Sequence, residues 1–337
     1  MDKIPTCEDY EIAIDEPRLI KCTRLSGGHV EKNEDDVVIR YVGGFCIVFP
    51  FYLSNEEKVA VRCWTTYIND IRERAHIVAQ ELHKLNLSYF VKFEYFEDGI
   101  ATTVGKQPII VMDWVNAMPL KEYLEKNLYN KENLNNLATR FLSMVTDFHN
   151  VGISHGDLQH GNILVKEDGS IVLVDYDSIY VPTLGKVPDD IKGLVGYQHP
   201  ARWKNRYASP KADYFSELII YTSIKALMFF PSLWNELNIA ETETLLFSEE
   251  DICSKGTSNI FRLLESNSSI KPLIEAIKKE LYIDDINELD PLEKTIVPTE
   301  VKISEGIRGK WNTPTIHANP LGFNTSDIRD KWNSNNL

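Results

Sequence analysis

Residues 154–165, with the sequence SHGDLQHGNILV, hold the most informative group of polar side chains in the chain. They place Asp157 and Asn162 in a glycine-containing loop that follows a stretch with apolar residues at helical spacing. A second acid, Asp175, comes after the β-like run IVLV at residues 171–174. Carboxylate and carboxamide oxygens are hard ligands that suit Mg²⁺, and a further carboxylate can orient an attacking hydroxyl group. The three side chains therefore predict a site with the groups that transfer of a γ-phosphoryl group requires.

The sequence around this loop divides into a strand-rich part and a helix-rich part. Runs of Val, Ile, Phe and Tyr between turn residues predict antiparallel strands at residues 37–41, 45–52, 58–64, 89–96 and 108–114. Apolar residues at helical spacing predict helices at residues 69–85, 120–128, 133–150 and 213–230. Short strands are expected at residues 163–165 and 171–174. The order predicts an α+β fold in which a small β-rich lobe joins a larger α-helical lobe near residues 113–120.

This arrangement resembles the protein kinase family, in a divergent form similar to the bacterial serine/threonine kinases. Residues 154–165 resemble the family's catalytic loop, and the sequence DYD at residues 175–177 resembles its metal-binding tripeptide. The resemblance implies a bilobal protein-kinase-like fold with a β-rich N-lobe and an α-helical C-lobe. It also implies that Asp157 is the catalytic base and that Asn162 and Asp175 bind magnesium.

Further motifs in the same order extend the resemblance to the nucleotide and to the substrate. The sequence GLVGYQHP at residues 193–200 resembles the end of an activation segment. Asp213 matches a buried aspartate that ties the following helix to the catalytic loop. The resemblance implies ATP as cofactor, bound by residues from both lobes: Gly43, Gly44, Val48, Ala60, Arg62, Met112, Asp113, Val115, Gln159 and Leu164.

The sequence departs from the family pattern at the cationic phosphate clamp. Arg62 stands where the family has a lysine, and these two cations are not interchangeable at a tight phosphate site. The helix that normally presents a glutamate to this cation has Val78 at the aligned position. Glu73 and Glu81 lie close by in the sequence, so a shifted ion pair with Arg62 is one alternative.

Other departures concern the catalytic loop and the activation segment. Gly156 replaces an arginine that often senses phosphorylation of the activation segment, so control of that kind is not expected. Gln159 stands where protein kinases usually have a lysine near the γ-phosphate. Asp177 replaces a glycine, and Ala201 replaces the glutamate that normally follows the proline of the activation segment.

Three hypotheses for the function remain open from the sequence. The leading one is a protein serine/threonine kinase that uses ATP and magnesium. The second is a pseudokinase scaffold that binds protein partners without turnover. The third is a small-molecule kinase, because the HGDL and GN sequences at residues 155–162 also resemble aminoglycoside and choline kinases. Residues 193–200 and Asp213 favour a protein substrate.

Composition excludes several other classes of protein. The chain has 337 residues and a formal net charge of −14, which argues against nucleic acid and anionic membranes as partners. Its five cysteines are odd in number and lack CxxC spacing, so neither a disulfide framework nor a zinc site is expected. The N-terminal sequence lacks the basic and apolar regions of a signal peptide, and the apolar runs are too short to span a bilayer. We therefore expect a cytoplasmic protein.

The sequence also predicts where the segments of the chain begin and end. They are an irregular N-terminal extension (1–35), a kinase N-lobe (36–112), a kinase C-lobe (113–283) and a polar tail (284–337). The tail contains the motif IRxKWN[ST] twice, at residues 307–313 and 328–334. Aromatic residues with basic neighbours are frequent anchors of protein interfaces. Trp311 and Trp332 are thus candidate contacts for a protein substrate or a regulatory partner.

Overall fold

The computed structural model of the protein describes residues 4–66 and 71–296, apart from the side chains of residues 71 and 72. Within them the chain has the predicted α+β architecture, with a β-sheet lobe followed by a helical lobe. The repeated tail motif, with Trp311 and Trp332, lies outside the described residues. No helix within the described ranges combines the length and apolar composition needed to cross a bilayer.

An antiparallel sheet forms the centre of the N-lobe. Its strands are β1 (His29–Val30), β2 (Tyr41–Val42), β3 (Cys46–Tyr52), β4 (Lys58–Trp64), β5 (Phe93–Thr102) and β6 (Gly105–Asp113). The order is β1-β3-β4-β6-β5, and β2 also pairs with β3. Alternate residues of β4 face opposite sides, so that Val59 and Val61 point away from the cleft whereas Ala60 and Arg62 face it.

Two strands differ from the sequence-based prediction. The strand expected at residues 37–41 is reduced to β2, next to the turn that contains Gly43. The strand expected at residues 89–96 begins at Phe93 and continues to Thr102. It continues because a register shift between Phe96 and Ile100 accommodates an acidic, glycine-containing stretch that reads as a turn.

The outer face of the sheet is covered by the N-terminal residues. Helix α1 (Cys7–Asp15) begins with a capping box between Thr6 and Asp9, and it buries Tyr10, Ala13 and Ile14. These side chains form a second hydrophobic core with residues of β3, β4 and β6, separate from the core that extends into the C-lobe. The expectation that this region is irregular is therefore wrong for residues 7–15.

The helix at residues 71–85 packs against β5 of the N-lobe sheet, and the helices and short strands that follow residue 117 form the C-lobe below the cleft. The helices are α2 (Ile71–Leu85), α3 (Leu120–Asn127), α4 (Lys131–Val151), α5 (Tyr214–Phe229), α6 (Leu233–Glu236), α7 (Glu249–Cys253), α8 (Asn259–Glu265), α9 (Lys271–Glu280) and α10 (Leu292–Ile296). A three-stranded sheet consists of β7 (Met118–Pro119), β8 (Ile163–Val165) and β9 (Ile171–Leu173). Helices α4 and α5 pack against each other and carry the loops on which the predicted acids lie. The predictions of these two helices and of strands β8 and β9 are confirmed.

Candidate active site

The loop that carries Asp157 is fixed at its start by a buried acid. Helix α4 ends at the left-handed residue Gly152, which turns the chain toward this loop. The carboxylate of Asp213 accepts hydrogen bonds from the backbone N–H of His155 at 2.5 Å and of Gly156 at 3.0 Å. Asp213 is fully buried at the start of α5, so it ties this helix to the loop as the sequence predicted.

Asp157 and Asn162 lie in direct contact. The side-chain N–H of Asn162 donates to the backbone oxygen of Asp157 at 2.8 Å and to its carboxylate at 3.1 Å. The backbone oxygen of Asn162 accepts from Val174 N at 3.0 Å, which brings the residue before Asp175 to the same place. The other carboxylate oxygen of Asp157 accepts from Leu194 N at 3.2 Å. The fold thus assembles the three predicted polar residues at one end of the catalytic loop.

The surroundings of Asp157 make its carboxylate more basic. Burial raises the pKa of this carboxyl above its ordinary value, and the negative charge of Asp175 raises it further. The neighbouring His155 and the hydrogen bonds from Leu194 and Asn162 lower the pKa but offset the rise only in part. A carboxylate with a raised pKa is a better proton acceptor, as a general base requires.

Arg62 reaches across the cleft to two acids of the DYD sequence. Its Nη1 and Nη2 atoms donate to the two carboxylate oxygens of Asp177 at 2.7 and 2.5 Å. Nη2 also donates to Asp175 Oδ1 at 2.9 Å. The side chains of Arg62 and Asp177 are both buried, whereas 41% of the Asp175 side chain is exposed. Asp175 therefore keeps an open side toward the cleft.

The glutamates considered from the sequence do not supply the partner of Arg62 in this structure. The carboxylate of the half-buried Glu81 instead lies 3.4 Å from Lys84, and Glu73 is exposed. In the sequence, the replacements at Arg62 and Asp177 stand 115 residues apart and read as separate departures. The opposite charges of the two replacements were the signal that could have linked them.

The donor atoms at this end of the cleft fit a magnesium ion bound together with phosphate. The amide nitrogen of Asn162 is engaged with Asp157, which leaves its side-chain oxygen available as a hard ligand. Asp175 supplies the second hard oxygen. Within residues 4–66 and 71–296, no group of three or more His, Cys, Asp or Glu side chains is arranged to hold a metal alone. Magnesium commonly binds one or two protein ligands and completes its coordination with phosphate oxygens and water.

Several residues are predicted to contact the base of the nucleotide. They lie on the cleft side of the N-lobe sheet and at the top of the C-lobe. The strand register places Val48 beside Arg62 and Ala60 beside Met112. Val48 and Ala60 are half-buried, as is Leu164 on β8. Met112 is buried near the end of β6. These side chains border the space expected for the adenine ring.

The predicted hinge begins at the last residue of β6. Asp113 is the last residue of β6, and its carboxylate lies 3.3 Å from the guanidinium of Arg24. Val115 is half-buried and packs against the main core. The backbone of residues 113–115 remains the predicted contact for the edge of the base.

The glycine turn and Gln159 border the region predicted for the phosphates. Gly43 and Gly44 lie in the exposed turn between β2 and β3, where Gly43 N donates to Cys46 O at 2.8 Å. A Cβ atom at Gly44 would meet no atom within 4 Å. The side-chain oxygen of Gln159 accepts from Gly161 N at 2.7 Å. Gln159 therefore stabilises its own loop by capping the short helical turn that follows it.

The structure gives a physical reason for the glycine at position 156. Gly156 has φ +79°, a left-handed conformation that side chains disfavour. A Cβ atom there would lie 2.3 Å from Ser178 O. The arginine of the family pattern cannot occupy this position in the observed conformation.

A buried ion pair holds the activation segment in place. Arg202 donates to both carboxylate oxygens of Asp189 at 3.1 and 3.0 Å and also to the side chain of Gln198. The hydroxyl of Tyr197, in the same segment, lies 2.7 Å from His160 Nδ1 in the catalytic loop. These contacts place residues 193–200 next to the catalytic loop.

Comparisons with known proteins agree with this geometry. The family model described as protein kinase domain matches residues 42–282. The probable serine/threonine-protein kinase zyg-1 of Caenorhabditis elegans is 24% identical over 189 residues, which cover 55% of this chain and 26% of that protein. The probable serine/threonine-protein kinase PknB of Lactococcus lactis is 30% identical over 118 residues, or 34% of this chain and 19% of the relative.

A third relative supports the same assignment. The serine/threonine-protein kinase PrkC of Bacillus subtilis is 31% identical over 111 residues, which cover 32% of this chain and 17% of PrkC. The chain thus spans about a quarter or less of the length of these relatives. Because the family match extends over more than half of its residues, the chain belongs to the protein kinase family, in a divergent form related to bacterial serine/threonine kinases.

Proposed function

We propose that the protein transfers the γ-phosphoryl group of ATP to a serine or threonine hydroxyl of a protein substrate, with magnesium. The observation that supports this most is the convergence of Asp157, Asn162 and Asp175 below Arg62. Three oxygen-bearing side chains and one cation between two lobes are the groups that phosphoryl transfer uses.

Each group has a distinct role in this proposal. Val48, Ala60 and Leu164 contact the faces of the adenine ring, and Arg62 contacts phosphate oxygens. Asn162 and Asp175 are the ligands for magnesium, which when bound neutralises charge on the phosphates.

Asp157 orients the substrate hydroxyl and accepts its proton. Its two hydrogen bonds, from Asn162 and Leu194, fix the direction of the carboxylate before substrate arrives. The catalytic contribution of the protein is therefore positioning and electrostatic stabilisation, rather than covalent chemistry.

The activation segment supports a protein substrate over a small hydroxylated metabolite. Leu194 contacts Asp157 directly, so the segment borders the position of the reacting hydroxyl. The Asp189–Arg202 ion pair is buried and orders this segment without any modified residue. An ordered backbone next to the catalytic acid can hold an extended peptide, whereas a small metabolite needs no such surface.

The test is incorporation of labelled phosphate from Mg-ATP into a generic serine/threonine protein substrate. We expect Asp157→Ala and Asp175→Ala to lower incorporation at least 100-fold, because each removes a reacting or metal-binding group. Asp168→Asn changes an exposed acid in the turn between β8 and β9 and should keep wild-type activity. Equal incorporation by all four proteins would refute the proposal.

One observation favours a second candidate, a pseudokinase scaffold. Arg62 donates to Asp175, so a cation lies against one of the two proposed metal ligands. Thermal unfolding with and without Mg-ATP separates the candidates, because a ligand that binds the folded state raises its stability. No stabilisation of the wild type at millimolar Mg-ATP would favour the scaffold, and incorporation of phosphate above the Asp157→Ala background would exclude it.

A further inference from the structure

The side chain that holds Arg62 in place comes from the segment after β9 and not from helix α2. Both carboxylate oxygens of Asp177 accept from the guanidinium, and the indole N–H of Trp64 donates to the same carboxylate at 3.4 Å. On the basis of the proposed function, we propose that Asp177 is a positioning residue for nucleotide binding. It fixes the guanidinium of Arg62 in the orientation that contacts the phosphates.

The two replacements form a matched pair. Arg62 supplies a planar fork of donors, and Asp177 supplies two acceptors in the matching geometry. Arg62 is 4% exposed and Asp177 is 7% exposed, so removal of Arg62 would leave the buried Asp177 carboxylate without its ion-pair partner, and removal of Asp177 would leave Arg62 with its single bond to Asp175. A lysine ammonium is a compact point charge and cannot form the two parallel bonds. The arginine at position 62 and the acid at position 177 therefore depend on each other.

Helix α2 presents a cation and apolar side chains to this pair. Arg74 and Val78 line the same small cavity as Arg62 and Asp177. Arg74 donates to Ile179 O at 3.0 Å, so α2 is itself bonded to the segment that contains Asp177. Among the described residues, α2 contributes no acid to this cavity. The position of Arg62 is consequently set by Asp177 and not by an acid on α2.

Asp177 also couples the cation to the proposed metal ligand. Asp175 and Asp177 flank Tyr176, whose ring is buried and whose hydroxyl accepts from Val91 N at 2.8 Å. With the tyrosine fixed in the core, both neighbouring carboxylates face Arg62. One short segment thus determines the positions of the phosphate-binding cation and of the proposed metal ligand.

The test measures binding of a fluorescent ATP analogue, mant-ATP, with magnesium, and urea unfolding without nucleotide. Asp177→Asn keeps the shape of the side chain, and Arg62→Lys restores the residue of the family pattern. We expect each to weaken Mg-mant-ATP binding at least tenfold and to raise KM for ATP more than it lowers kcat. The matched controls Glu73→Gln and Glu81→Gln remove acids of α2, and we expect both to bind within twofold of wild type.

The unfolding data show whether the affinity loss reflects lost pairing. In a cycle of Arg62→Gln, Asp177→Asn and the double variant, we expect the double variant to lose less stability than the sum of the single losses. Wild-type affinity in Asp177→Asn or Arg62→Lys, or an equal loss in either α2 control, would overturn the inference.

The two proposals fail in different ways. A wild type that binds Mg-mant-ATP but transfers no phosphate refutes the proposed function and leaves the role of Asp177 standing. A wild type that does not bind the analogue overturns both.

Discussion

Replacing Ile14 with alanine should destabilise the N-lobe, although this residue precedes the region that matches the kinase family. Ile14 is 1% exposed and packs in the outer core between α1 and the sheet. The change removes three carbons at about 0.8 kcal/mol each and leaves a cavity that adds to the loss. We expect the free energy of unfolding to fall by about 3 kcal/mol.

Ile12 provides a matched control on the same helix. It is 60% exposed, so Ile12→Ala should change the free energy of unfolding by about 0.5 kcal/mol or less. Urea unfolding monitored by tryptophan fluorescence measures both variants, and Trp64 of β4 reports on the lobe concerned. Equal losses in the two variants, or no loss in Ile14→Ala, would refute the assignment of α1 to the folded core.

Two further predictions concern the catalytic loop and a buried acid. Gly156→Ala should cost clearly more than Gly152→Ala in urea unfolding. Both positions are left-handed, at an expected cost of about 1–2 kcal/mol, but only at position 156 does the Cβ meet Ser178 O at 2.3 Å. Equal costs would contradict the steric argument. Burial raises the pKa of Glu280 to about 8 from an ordinary 4.5, so the wild type should lose stability relative to Glu280→Gln as pH rises from 4.5 to 8. Urea midpoints at pH 5.5, 7 and 8.5 measure this difference. Glu275→Gln on the same helix, at an exposed position, should show no such trend, and a difference that does not widen with pH would refute the prediction.

The sequence was sufficient for the architecture and for the three polar residues of the catalytic loop and tripeptide. Strands β3 and β4 and helices α4 and α5 could be predicted because local hydrophobic periodicity determines their type. Asp157 and Asn162 could be predicted because their spacing lies within one loop. Features that depend on local sequence could therefore be predicted without a structure.

The partner of Arg62 could not be predicted in the same way. Asp177 is 115 residues away in the sequence, and only the packing of the two lobes brings it to Arg62. The family pattern predicts an acid on α2, but this chain differs from the pattern at both ends of that ion pair, with Arg62 for lysine and Val78 for glutamate. Helix α1 was missed for another reason, because the capping signal of Thr6 and Asp9 uses an aspartate instead of the more usual glutamate or glutamine.

The alternation of β4 connects the outer core with the ion pair of Arg62 through a single strand. Val59, Val61 and Cys63 belong to the outer core. Arg62 lies between Val61 and Cys63, and its side chain faces the opposite side of the sheet. Neighbouring residues in a strand are only about 3.3 Å apart, so a change of packing behind the sheet acts close to the backbone that carries the guanidinium in front of it. The packing of residues 7–30 therefore supports, from the opposite face of the sheet, the strand that positions Arg62.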